Sequence, residues 1–173
     1  MDRSSIGKMS KRKGKRVELE IANWLKTLLP ECKIHRTQQF CGSNGTSDIQ
    51  GVGLVNNWHI ESKATTQAKL DQSTLTKWIN QVRTDNIENK RIVVFHKANN
   101  KELVAILLEN IGDAYPIVTP SFIFSEEYDR VFRTKRLRLE DTKGIVLAHY
   151  INNLDTIIYV MKATEFVERY WLV

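Results

Sequence analysis

Two carboxylates and an amine, Asp48, Glu61 and Lys63, stand inside SDIQGVGLVNNWHIESK (residues 47–63), a stretch otherwise suited to β-strands. Strands are poor in Asp, Glu and Lys, and such groups are rarely buried without a partner. Side chains alternate along a strand, so Glu61 and Lys63 share one face. With Asn56-Asn57 as a two-residue hairpin turn, Val55 faces Trp58, Val52 faces Glu61, Gln50 faces Lys63 and Asp48 faces Thr65. Asp48 then emerges on the same face as Glu61 and Lys63. This register leaves Asp48 roughly 13 Å from Glu61 along the strand, a gap that a bulge or coil near Gly51 or Gly53 must close. Two converging carboxylates repel unless a cation lies between them, and oxygen ligands of this kind suit Mg2+, with Mn2+ as a substitute. An adjacent lysine neutralises a scissile phosphate or holds a metal-bound water as nucleophile. The trio has the composition for metal-assisted phosphodiester hydrolysis. An ordinary Glu–Lys pair on a half-exposed hairpin is the competing interpretation.

The elements around this stretch follow from periodicity. Val17, Ile21, Trp24, Leu25 and Leu28 form one face of a helix over about 14–29, stopped by Pro30. A strand is expected at Lys33–Thr37, then a loop by composition at CGSNGTS, Cys41–Ser47. Residues 74–89 return to helical spacing, with Leu75, Trp78, Ile79, Val82 and Ile87 on one side. RIVVFHK, Arg91–Lys97, has the pattern of a buried strand, whereas Glu102–Ile111 fits either a strand or a short helix. A second hairpin is expected from Ile145–Ile151 and Thr156–Met161, and a final helix over Thr164–Trp171. The order predicts a central mixed sheet with helices packed on it, an α/β (α+β) fold.

The 173 residues, 42% hydrophobic and 27% charged, suffice for one domain with a core. No apolar run approaches the roughly 20 residues of a membrane span. Cys32 and Cys41 lack zinc-type spacing, which fits a reducing cytoplasm. The net charge of +6 is unevenly placed. Lys8, Lys11, Arg12, Lys13, Lys15 and Arg16 open the chain, and Arg130, Arg133, Lys135, Arg136 and Arg138 form a second cluster. Such clusters suit nucleic acid. Residues 1 to about 13 lack periodicity and are expected to form a flexible basic arm, with one domain over 14–173.

Asp48, then Glu61-Ser62-Lys63 on the next strand, resembles the PD-(D/E)xK nuclease signature, with Ser47 at its weakly kept proline. Upstream, KGKRVELEIANWL (Lys13–Leu25) resembles the first helix of archaeal-type Holliday-junction resolvases, whose Gly-x-x-x-Glu start falls on Gly14 and Glu18. The segment Arg36–Asp48 resembles that family's Arg…Ser-Gly…Asp stretch, although Cys41 stands where many relatives have serine and Ser43 lies nearby. The resemblance covers about residues 11–97, leaving 98–173 divergent, and a phage or mobile-element origin suits it. It implies a restriction-endonuclease-like fold and a Mg2+-dependent endonuclease acting on branched DNA as a homodimer. Glu18, Asp48 and Glu61 would bind metal, with the Ser62 carbonyl a further ligand, and Lys63 would activate water. Lys11, Arg12, Lys13, Lys15 and Arg16, with Arg36, would hold phosphates. The alternatives are a nuclease of the same fold with a restriction, repair or packaging substrate, and a non-catalytic nucleic-acid-binding module.

Other residues weigh less. Gln81 matches a site-facing glutamine of related nucleases, and Gln50 lies on the proposed active face. Thr65 and Thr66 follow Lys63 and could meet phosphate. His59 is read as facing away from the trio, and His35, His96 and His149 show no mutual metal spacing. Trp24 and Trp78 fit a core, and Glu20 fits solvent better than Glu18 does. The apolar C-terminus, Tyr159–Val173, fits either a buried helix or a dimer interface.

Overall fold

Apolar spacing creates the first helix, α1 (Arg3–Leu28), in which Val17, Ile21 and Leu25 are buried. The computed structural model describes residues 3–37, 45–66, 69–99, 101–110, 136–138, 145–151 and 154–172. α1 begins at Arg3 and not near residue 14, so the stretch expected to be a flexible arm is helical here. Lys, Arg and Met are good helix formers, and once the packed C-terminal half is nucleated each added residue gains a backbone hydrogen bond. Pro30 ends the helix in a short 3-10 turn, Pro30–Cys32.

The chain continues through β1 (His35–Arg36), β2 (Ile49–Gln50), a second 3-10 turn at Gly53–Asn57, β3 (Trp58–Thr65), β4 (Lys69–Asp71) and α2 (Gln72–Asp85). It then forms β5 (Arg91–Ala98), β6 (Leu103–Asn110), β7 (Arg136–Arg138), β8 (Ile145–Ile151), β9 (Leu154–Lys162) and α3 (Ala163–Tyr170). Among the described residues, seven strands make one sheet in the order β1-β2-β3-β5-β6-β9-β8, while β4 and β7 pair separately. β3 and β5 run parallel, connected through β4 and α2, and the sheet's other pairings are antiparallel. The stretch from Glu102 is strand, and β8–β9 is the expected second hairpin.

Alternation along the strands divides the core in two. Ile60, Val93, Phe95, Ala105, Leu107 and Met161 pack under α1 and α3. Ile92, Val94, Val104, Ile106, Leu108 and Val160 pack under Leu75, Ile79 and Val82 of α2. The result is a three-layered α+β fold with a mixed sheet at its centre, the restriction-endonuclease-like arrangement. Trp24 meets Phe95 edge-on at 6.0 Å, and Trp78 packs on His96 at 5.2 Å, so both belong to the packed layers. Ile87, expected on the apolar face, lies beyond the end of α2 and is 71% exposed. The C-terminal apolar residues Phe166, Val167 and Trp171 are buried within the chain, which removes them as an association surface.

Candidate active site

The turn between β2 and β3 determines which residues meet. Asn56-Asn57 is not a two-residue hairpin: Gly53–Asn57 winds into a 3-10 turn, with Gly53 at φ +66. That left-handed backbone favours glycine. Winding takes up chain that the simple hairpin would have laid out as strand, so Ile49 pairs with Ile60. Continuing that register puts Asp48 opposite Glu61, and the gap left by the hairpin reading closes. Gln50, expected opposite Lys63, is instead exposed beside the level of His59, and Thr65 lies well beyond Asp48.

Asp48 is fixed by its backbone from both sides. Its amide donates to the Ile60 carbonyl at 2.9 Å, and its carbonyl accepts from the Thr37 amide at 2.8 Å. Its Oδ2 accepts from the Ser62 amide at 2.8 Å, and the neighbouring Ser47 Oγ accepts from the Ile60 amide at 3.3 Å. Lys63 Nζ donates to Glu61 Oε1 at 2.7 Å and to Gln81 Oε1 at 3.0 Å. Gln81 in turn donates to Asp85 one helical turn on, at 3.4 Å. Glu61 and Lys63 therefore lie on the α2 face of the sheet. Asp85 was missed from sequence, although its i, i+4 spacing from Gln81 is the signal that could have found it.

Asp48 and Glu61 are 7% and 5% exposed, side by side. Burial pushes Glu61 up to about 7, with the Asp48 charge adding to the effect and Lys63 opposing it. Burial also raises Asp48, Glu18 adding to the rise while the Ser62 amide and Lys63 oppose it. One lysine does not offset two desolvated carboxyls, so the pair resists full ionisation in the absence of a further cation.

Glu18, on the opposite helix layer, forms an ion pair with Arg36 at 2.5 Å. Among the described residues, no group of three or more His, Cys, Asp or Glu stands close enough to hold a metal ion. Arg36 is thus turned inward to Glu18. Lys13 Nζ donates to the Thr65 carbonyl at 2.7 Å, so it too serves the fold here. Arg12, Lys15 and Arg16 are exposed, and the side chain of Lys11 lies outside the described residues. So do Cys41 and Ser43. Glu20 is exposed beside Lys97, at 3.7 Å.

His59 overturns its expected orientation. Positions 59, 61 and 63 alternate in step, so His59 shares the face of Glu61 and Lys63. It is 2% exposed, burial lowers its pKa, and among the described residues its Nε2 has no hydrogen-bond partner. His96, fully buried, meets the Thr65 hydroxyl at 2.8 Å, which engages the threonine expected at phosphate.

A mixed sheet layered between helices, with Asp48 facing Glu61-x-Lys63 across neighbouring strands, defines the PD-(D/E)xK class of nuclease folds. Residues 9–152 match the family model described as "Phage putative PDDEXK endonuclease", and the chain belongs to that family. Comparison with curated proteins and with solved structures gave no significant match. No described helix is long and apolar enough to cross a membrane.

Proposed function

We propose that the chain is a divalent-metal-dependent DNA endonuclease, a single nuclease domain in which Asp48 and Glu61 hold the metal and Lys63 serves the attacking water. The observation that carries this reading is the buried Asp48–Glu61 pair with Lys63 at 2.7 Å from Glu61. Two desolvated carboxyls with raised pKa values form the hard oxygen donor set that Mg2+ takes, with Mn2+ as a substitute. The Ser62 carbonyl would be a further donor in this reading, and so would Glu18, here paired with Arg36. When bound, the metal polarises the scissile phosphate and lowers the pKa of a coordinated water. Lys63, steadied by Gln81, would hold the attacking water beside Glu61 and balance charge on the phosphate. Arg12, Lys15 and Arg16, exposed on α1, would grip the backbone, with Arg36 beside Glu18 a further phosphate contact.

The substrate in this reading is branched DNA, cut by a homodimer in the manner of Holliday-junction resolvases. The support is the Gly14-x-x-x-Glu18 segment within α1 together with Arg36 paired to Glu18. A cleavage assay comparing a four-way junction, linear duplex, single strand and flap, with Mg2+ and with EDTA, tests both levels. Metal-dependent cutting preferring the junction is expected. Cutting of duplex alone would keep the nuclease and remove the resolvase, and no cutting of any substrate would remove both.

A further inference from the structure

β4 and β7 form a two-stranded ribbon separate from the central sheet. One strand of the ribbon, β4, is inserted between the two elements that build the site. β3, which carries Glu61 and Lys63, ends at Thr65, β4 begins at Lys69, and α2, which supplies Gln81, follows at Gln72. Its partner strand comes from the second basic cluster of the sequence. Lys69 pairs with Arg138, Leu70 with Leu137 and Asp71 with Arg136. Cross-strand partners share a face and successive residues alternate. By register, Lys69, Asp71, Arg136 and Arg138 occupy the positions that alternate with the Leu70–Leu137 pair. Three cations against one carboxylate is an unusual concentration for so short an element.

α1 arrives at the same place from the other layer. Lys13 Nζ bonds the carbonyl of Thr65, the last residue of β3, at 2.7 Å. The exposed Arg12, Lys15 and Arg16 lie within a turn of Lys13. The strand end from which the ribbon departs is thus met by α1 through Lys13, and β4 follows it directly and leads into α2. A two-stranded ribbon fits the roughly 12 Å major groove of B-DNA, and a basic ribbon suits the phosphates that border it.

We propose that the β4–β7 ribbon is a second DNA-binding element, holding the duplex next to the cleaved phosphate through Lys69, Arg136 and Arg138. The proposal rests on the nuclease reading for its notion of a cleaved phosphate, but not for its test. Binding of a mixed-sequence duplex is measured by fluorescence anisotropy in EDTA across a range of NaCl concentrations. Each phosphate contact contributes about 0.9 to the log–log salt slope, so Arg136→Ala/Arg138→Ala is expected to flatten it by about two and Lys69→Ala by about one. Arg136→Lys/Arg138→Lys is expected to keep the slope, and Asp71→Asn to tighten binding. Should the double alanine variant fail to fold by circular dichroism, Lys69→Ala carries the test alone. An unchanged slope in the folded alanine variants would overturn the proposal. A wild-type chain that binds with the ribbon-dependent slope yet cuts nothing would sustain the ribbon and end the nuclease reading.

Discussion

Glu61 holds its proton in the folded chain at pH values where the unfolded chain has lost it. Its pKa moves from an ordinary 4.5 to about 7 because the carboxyl is buried beside Asp48. Between those values the folded state binds more protons, so this group's contribution to stability falls as pH rises and levels off above about 7. His96 has the opposite sign. Burial lowers it from 6.5 to about 4, so its contribution is intact at neutral pH and is lost as pH falls through that range. Glu61→Gln removes the first effect, and at pH 8 without metal the variant is expected to melt higher than the wild type. At roughly 2–4 °C per kcal/mol for a chain of this size, differential scanning fluorimetry resolves the change. An equal or lower melting temperature would show that Glu61 is not strained by its surroundings. The same substitution should abolish cleavage. Asp48→Asn and Lys63→Ala should each lower turnover by at least about a hundredfold, the scale of losing one preorganised charge or proton-transfer group, while DNA binding persists. Full activity of Lys63→Ala, or of wild type in EDTA, would sink the assignment.

The turn between β2 and β3 makes the site and is the element that sequence reading described least well. A Cβ on Gly51 would come within 2.7 Å of the Cys32 carbonyl, and backbone does not yield cheaply. The Val52 amide donates to that same carbonyl at 2.6 Å, clamping the exit of β2 to the 3-10 turn after α1. Gly51→Ala is therefore expected to cost about 1–3 kcal/mol and to displace Asp48 from Glu61. Activity should fall further than the melting temperature alone explains, and activity loss without destabilisation would mean that the clamp is not what holds β2. Helix α1 invites a separate test. Arg12→Ala/Lys15→Ala/Arg16→Ala should flatten the salt dependence of DNA binding by up to about three units, leaving stability nearly unchanged. Lys13→Ala should instead lower stability, because its ammonium holds the Thr65 carbonyl. Equal slopes for wild type and the triple variant would make that face merely solvated. The three-layer fold was legible because Val17, Ile21, Leu25 and the RIVVFHK run carry strong periods of their own. Glu61 and Lys63 were legible because charge within a strand pattern is conspicuous. The pairing partner of Asp48 was not, since a 3-10 turn and a tight hairpin draw on the same Gly- and Asn-rich residues and only packing against Cys32 separates them. The side of His59 was legible from alternation alone and was nevertheless misread.

Two copies of the chain have a route to assemble through the sheet. β8 ends the order β1-β2-β3-β5-β6-β9-β8, and among the described residues it pairs only with β9. An edge strand offers a row of unpaired backbone donors and acceptors, and a two-fold axis beside β8 would let one edge satisfy its copy. The C-terminal helix no longer offers a comparable surface, since Phe166, Val167 and Trp171 are spent on the chain's own core. Pairing β8 with its symmetry mate would separate the two β3 strands by nine strand spacings, roughly 43 Å at about 4.8 Å each. That span far exceeds the roughly 12 Å of a major groove, so the two sites would not close on opposite strands of one duplex step. They would meet separate helical arms, as a branched substrate presents them. The protein is therefore expected to sediment as a dimer, to bind a four-way junction far more tightly than a duplex of the same sequence, and to place paired nicks in opposing strands with little base preference. Proline at successive positions of β8 should break the dimer and the pairing of nicks together, while single nicks continue at each intact site. A monomer that cuts linear duplex at a defined sequence would refute this arrangement and leave a restriction-type enzyme on the same fold.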